Sequence, residues 1–357
     1  MNDNSTTKEV FMKKVFAALV LSCFAAALAF AGGGGETAGA GKEQFEIVMV
    51  VKLEGVAWFD NMRLGIEEFN KEFPDVNAYQ IGADTADPAA QVALVEDLIA
   101  KGVDAILVVP NDPESLVPAF KKANDAGILT FTHEASNQRQ ISYDVEAFDN
   151  IAYGRHMMDI MAKWMKEEGL WQPFVGHLTS TTHNEWVDGE EAQAKEKYPR
   201  LKMATTRIEE QENQQIAYEK TLELIKRYPG LKTVMGSAMS TVPGAARAIE
   251  EKGMIGKMAA FGTCLPSVAG DYLKSGAAKS IHFWVPADAG YVTAYVAYLS
   301  LKGETIKEGM DLKRPGYEKI TIQKNKAGVP IIYGQAWVDV NVDNLSDWTN
   351  ADGSYKL

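Results

Sequence analysis

PAAQVALVEDLIAKGVDAILVVPNDP, residues 88–113, contains the unit from which the fold is built. Pro88 to Lys101 places apolar residues at helical spacing, and Gly102 is a helix stop. VDAILVVP (103–110) is apolar and β-rich, which predicts a strand buried on both faces. Asp112 before Pro113 is a natural N-cap for the next helix, Pro113 to Asp125. Helix, stop, buried strand and capped helix make one βα repeat. On either side lie FEIVMVV (45–51), a helix from Asp60 to Phe73, VNAYQIG (76–82) and ILTFT (128–132). The order β-α-β-α-β-α-β predicts a parallel sheet with helices on both faces.

The alternation then restarts. A helix after Tyr153 runs to Glu168, and PFVGHL (173–178) is the next strand. A helix from Trp186 to Lys197 follows, then LKMATTR (201–207), a helix at Gln214–Tyr228 and LKTVMGS (231–237). Val242–Lys252, MAAFGT (258–263), Ser267–Ser275 and KSIHFW (279–284) continue the pattern. A late helix, Ala287–Lys302, and short strands YEKITI (317–322) and VPIIYGQ (329–335) close the chain. The reading is α/β, two doubly wound, Rossmann-like parallel-sheet domains with a cleft between them.

The chain has 357 residues, 46% hydrophobic and 24% charged, with a net charge of −12. This is an ordinary globular balance, and the acidity argues against nucleic acid or an anionic membrane as the main partner. Lys13-Lys14, the apolar run Val15–Leu28 and Ala29-Phe30-Ala31 have the three-part form of a secretory signal peptide. The unit expected is 1–31, with Met12 opening its genuine part at 12–31, and 32–43 is expected to be a flexible linker. Cys23, after Val20-Leu21-Ser22, loosely matches a lipoprotein cleavage site, but plain export is the preferred reading. After cleavage at Ala31 only Cys264 remains, so no internal disulfide forms, as suits a periplasm-like compartment.

In doubly wound sheets, ligands bind outside the carboxyl ends of the strands. Lys52 follows the first strand as a possible donor, and Trp58 or Phe59 can stack on the C–H face of a sugar ring. Asn111 follows the third strand. Glu134, after the fourth, can accept two hydroxyl hydrogen bonds, which are stronger for being charge-assisted. TSTTHNEW (179–186) follows the first strand of the second half, and Thr182, His183 and Asn184 are placed there to reach a ligand. Met239 and Trp284 end later strands. Ordinary packing, or a solvated surface in the case of Lys52, is the competing reading for the aromatics and the lysine. GxGxxG after the first strand, GxxxxGK[ST], HExxH, CxxC and GxSxG are absent. No cofactor, metal or catalytic residue is expected. Asp339-Val-Asn341-Val-Asp343 lacks the glycine and glutamate of a calcium loop and reads as a strand and turn. A hydrolase built on Glu134 with His133 or His183 would need a second acid across the cleft. Glu185 is the obvious one, and it lies at a helix start.

KLEGVAWFDNMRLGIEEF (52–69), AQVALVEDLIAKGVDAILVVPNDPESLVPAFKKANDAGI (90–128) and GTCLPSVAGDYLKSGAAKSIHFWVPADAGYVTAYVAY (262–298) resemble the periplasmic sugar-binding proteins of ABC importers. The likeness is to the type I, ribose-binding-like superfamily, and the first and third stretches resemble its rhamnose- and autoinducer-2-binding branch. It covers the chain from about Phe45 to Leu357. The resemblance implies three crossover strands, a ligand in the cleft and hinge closure around it. It implies an N-terminal domain at 44–140 plus 286–315 and a C-terminal domain at 141–285 plus 316–357. It also implies an extracytoplasmic monomer whose partners are a small sugar, an ABC permease and, in a sensing role, a chemoreceptor. The contact set it implies is Lys52, Trp58 or Phe59, Asn111, Glu134, Thr182, His183, Asn184, Met239 and Trp284. The autoinducer-2 pattern has aspartate where Glu134 stands and Asp-Gln where Thr182-His183 stand, which argues against that ligand. The ribose pattern has an aspartate near Gly262-Thr263 and a glutamine-like residue at Trp284. A monosaccharide with more apolar surface, such as the deoxy sugar rhamnose, is therefore expected.

Overall fold

The computed structural model describes residues 44–357; the signal-peptide, lipidation and linker expectations lie outside the described residues. The first sheet is seven-stranded, in the order β12-β13-β5-β4-β3-β1-β2. Its members are β1 (Phe45–Val51), β2 (Val76–Gly82), β3 (Ala105–Val108), β4 (Leu129–His133), β5 (Tyr143–Glu146), β12 (Thr321–Lys324) and β13 (Pro330–Tyr333). The second is also seven-stranded, in the order β14-β11-β10-β9-β6-β7, with β8 paired to β6. It holds β6 (Gly169–Val175), β7 (Leu201–Met203), β8 (Ile208–Glu209), β9 (Leu231–Gly236), β10 (Ala259–Thr263), β11 (Ala278–Phe283) and β14 (Val338–Val340). Pairing is parallel except at β12–β13 and β11–β14.

The opening stretch folds as its punctuation dictates. The Asp87 side chain accepts from the Ala89 and Ala90 amides to start α2 (Pro88–Lys101), following α1 (Ala57–Glu72), and Gly102 ends it in the left-handed region. Asp112 caps α3 (Pro113–Asp125) through the Glu114 amide. β1 and β3 between these helices are fully buried at their centres. Their apolar runs are continuous because helices cover both faces.

The remaining helices are α4 (Asn150–Trp164), α5 (Thr181–Lys197), α6 (Gln214–Arg227), α7 (Thr241–Glu251), α8 (Pro266–Ser275) and α9 (Pro286–Leu301). α9 returns to the first lobe, where it packs on α1 and on β1, β3 and β4. The expected division at 140/141, with 316–357 in the second domain, does not hold. β5 pairs with β4 and β13, so 143–146 and the β12–β13 ribbon complete the first sheet. Only β14 goes to the second, against β11. The chain thus passes between the sheets at 147–149, 284–285 and 334–337. Among the described residues no helix is long and apolar enough to cross a membrane.

Candidate functional site

Each sheet reverses its strand order at one point, β1/β3 in the first lobe and β6/β9 in the second. A doubly wound sheet opens a crevice at such a switch point, beyond the strand ends. The two crevices face each other here and enclose a cavity of about 270 Å³. Lys52, Trp58, Phe59 and Glu134 line it from the first lobe. His183, Glu212, Met239 and Thr263 line it from the second, and Trp284 comes from a crossover.

Its electrostatic centre is Lys52, 3% exposed. The ammonium donates to Glu134 Oε2 at 2.7 Å and lies 3.6 Å from Glu212 Oε1 across the cleft. Burial opposes the charge, but Glu134 and Glu212 outweigh it and hold the lysine pKa above its ordinary value. Glu134 is presented with a φ of 64°, a left-handed turn that an ordinary residue adopts only where its surroundings enforce it.

The Gly176 amide donates to His183 Nδ1 at 3.2 Å, so the neutral ring carries its proton on Nε2. Burial, then the Lys52 charge, pushes the His183 pKa well below the usual imidazole value and keeps the ring neutral. Its Nε2 is 3.4 Å from Lys52 Nζ. Two donors converge there, an arrangement that a ligand oxygen accepting from both would satisfy.

Indole and phenyl rings form the apolar wall. Trp58 and Trp284 meet edge to face at 4.7 Å, and Trp186 packs on Trp284 at 5.7 Å. Phe148 of the first crossover packs on Trp284 at 5.3 Å and on Trp337 of the third at 5.5 Å. Each crossover therefore contributes a ring to one cluster that reaches the cavity. Among the described residues the Trp284 indole N–H has no acceptor.

Asn111, Thr182 and Asn184 of the expected set do not line the cavity. Asn111 turns back to donate to the Lys52 carbonyl at 3.1 Å and so positions that lysine. Thr182 faces the first lobe, where its hydroxyl lies 3.3 Å from Glu146 Oε1. Asn184 bonds the Ser180 carbonyl at 2.8 Å and accepts from Arg207 at 2.9 Å. The cause is that α5 starts at Thr181, not Trp186, so successive side chains rotate about 100° and only His183 of the three points into the cavity. Glu212 is the residue that sequence reasoning missed. It follows the two-residue β8, and Gln211 and Glu212, with φ 58° and 54°, turn the chain so that its carboxylate enters the cleft.

Behind Thr182, Asp144 and Glu146 of β5 are buried side by side. Thr132 and the Ala135 amide donate to Asp144 Oδ1, but Oδ2 has no donor unless Glu146 carries a proton. Burial, then Asp144, Glu185 and Glu134, pushes the Glu146 carboxyl well above its usual range, and burial raises Asp144 to about 7. Both folded-state pKa values lie above the unfolded ones. The stability from the protonated pair is therefore complete below about pH 4 and is lost as the pH rises through about 7. Glu146→Gln, a neutral isostere that carries no buried charge at any pH, is expected to remove the Glu146 share of that fall, so the variant should lose less stability than the unmodified protein between pH 4.5 and 8. Urea unfolding at several pH values from 4.5 to 8 checks it.

Residues 47–305 match the family described as "Periplasmic binding protein domain". The D-ribose/D-allose-binding protein of Pseudomonas aeruginosa is 25% identical over 269 residues, 71% of this chain and 80% of that protein. The solute-binding protein of Clostridium phytofermentas with bound L-rhamnose superposes with a TM-score of 0.79 at 21% identity, over 85% of this chain and 98% of that one. LsrB from Clostridium saccharobutylicum in complex with AI-2 gives a TM-score of 0.79 at 18% identity, over 85% and 100%. These two structures share the fold.

Proposed function

Because the chain belongs to the periplasmic binding protein family, whose relatives here are solute-binding proteins and not enzymes, we propose that it captures a neutral monosaccharide outside the cytoplasm and hands it to an ABC importer. The observation that carries this reading is the Lys52–Glu134 pair lining one interlobe cavity together with Trp58 and Trp284. Sugar hydroxyls need fixed donors and acceptors, and a pyranose C–H face needs an aromatic surface. Lys52, the His183 Nε2–H and the Trp284 indole N–H are the donors, and Glu134 and Glu212 are the acceptors. Asn111, Thr182 and Asn184 act behind this set as supports.

The two glutamates against one lysine disfavour an anionic sugar. The apolar share of the wall, with Met239 and Val268 beside the rings, favours a deoxy sugar such as rhamnose over a fully hydroxylated pentose. Closure is ligand-linked because only the closed form touches the ligand from both lobes. A thermal-shift screen over monosaccharides, furanones, nucleosides and amino acids is expected to show a rise with at least one neutral monosaccharide. A rise with nucleosides or amino acids alone would refute the reading.

A further inference from the structure

We propose that His156, His282 and Asp339 form a binding site for a divalent transition metal of the zinc class, at the second-lobe roots of the crossovers. One ligand atom from each lies within 4.8 Å of the others. Asp339 Oδ2 is 2.7 Å from His156 Nε2, and Oδ1 is 2.7 Å from His282 Nδ1. The site is separate from the sugar cavity and does not depend on the sugar reading.

The fold builds this cluster from three elements. His282 and Asp339 are direct partners in the antiparallel register of β11 and β14. His156 reaches them from α4, and its ring is stacked on Trp337 at 5.4 Å. Asn344 donates to the Asp339 carbonyl at 2.9 Å and holds the turn after β14. The His282 side chain is fully buried, whereas those of His156 and Asp339 are 32% and 35% exposed. That leaves an entry path and room for a water as fourth ligand.

Two imidazoles and one carboxylate suit zinc and its neighbours, while calcium and magnesium take oxygen ligands. Bonds of about 2.0–2.2 Å in tetrahedral geometry place ligand atoms roughly 3.3 Å apart. Side-chain rotations that open the two 2.7 Å contacts of Asp339 by about 0.6 Å, and bring the imidazole nitrogens from within 4.8 Å to the same spacing, admit the ion. Metal binding needs the His282 proton on Nε2 rather than Nδ1. Among the described residues Nε2 is buried without a hydrogen-bond partner, so the tautomer change exchanges one unpaired group for another and adds little cost.

His282 and Asp339 lie two residues from the crossovers at 284–285 and 334–337, His156 stacks on Trp337 of the latter, and its helix α4 follows the crossover at 147–149. A bound ion would join these feet and fix the second-lobe ends about which the lobes swing.

The test uses the full, untagged chain, stripped of metal with a chelator. Titration with Zn²⁺ is expected to give one equivalent bound at micromolar Kd or tighter, and Co²⁺ to give the intense visible absorption of a tetrahedral site. His156→Ala and the near-isosteric Asp339→Asn should each weaken Zn²⁺ binding by more than the roughly 10- to 100-fold that outer-shell changes cost, and both should lose the Co²⁺ band. His177→Ala, outside the cluster, should keep both. Absence of stoichiometric Zn²⁺ binding to the unmodified chain overturns the proposal, whether or not the variants fold. So does binding that survives His156→Ala and Asp339→Asn.

Discussion

Lys52→Met is expected to weaken sugar capture sharply and to destabilise the protein by about 3–5 kcal/mol, the range for breaking a buried ion pair from one side. Glu134 is 4% exposed, and Lys52 is its cation. Methionine fills the volume but leaves the Glu134 carboxylate buried and uncompensated, and Glu212 loses the positive charge that faces it across the cleft. Binding suffers separately, because the ligand loses a charge-assisted donor worth about 1.5–3 kcal/mol, or roughly 10- to 100-fold in Kd. The two effects separate in a double variant. Adding Glu134→Leu to Lys52→Met removes the stranded charge and should recover much of the stability, while sugar binding stays weak. Urea unfolding reads the first quantity and titration calorimetry the second. Equal recovery of both in the double variant would mean that the pair is only structural.

The second large effect is expected at a glycine that does not line the cavity. A Cβ on Gly154 would lie 1.9 Å from the Trp186 carbonyl oxygen, and one on Gly189 would lie 2.4 Å from the Ile151 carbonyl oxygen. α4 and α5 thus pack backbone to backbone, glycine on each side. Gly154→Ala must push the helices apart. Overpacking costs about 1–3 kcal/mol, and because backbone rather than a flexible side chain is struck, the upper end is expected. α5 also carries His183 and Trp186 of the cavity wall, so sugar affinity should fall together with the urea midpoint. Gly102→Ala provides the contrast: its φ is 75° with nothing within 4 Å of the added carbon, so it should cost about 1 kcal/mol from backbone strain and leave affinity unchanged.

What could be read from the sequence divides along physical lines. Parallel strands buried on both faces carry continuous apolar runs, so β1, β3 and β4 declared themselves, and Asp87, Gly102 and Asp112 marked their helix ends locally. β5 did not, because Tyr-Asp-Val-Glu looks like a loop. It is a buried strand because β4 and β13 pair with it on either side, which no feature of its own four residues announces. The return of β12 and β13 to the first sheet rests on pairing across more than 170 residues, Ile331 with Asp144 for instance, and no local periodicity encodes that.

The site shows the same division. Searching residues after strands brought Lys52, Glu134, His183, Met239 and Trp284 to one cavity, because the crevice of a doubly wound sheet lies at strand ends. It misplaced Thr182 and Asn184 because a helix start at Thr181 decides their direction. It passed over Glu212 because a two-residue strand and two left-handed residues leave no hydrophobic pattern.

The central claim is that one interlobe cavity holds one neutral sugar without converting it. Titration calorimetry of the protein against a panel of neutral monosaccharides, L-rhamnose included, tests this most directly. One-to-one binding of at least one of them is expected, at micromolar Kd or tighter, with heat that returns to baseline after each injection. Absence of binding across the panel, or a sustained heat flow that signals turnover, would contradict it.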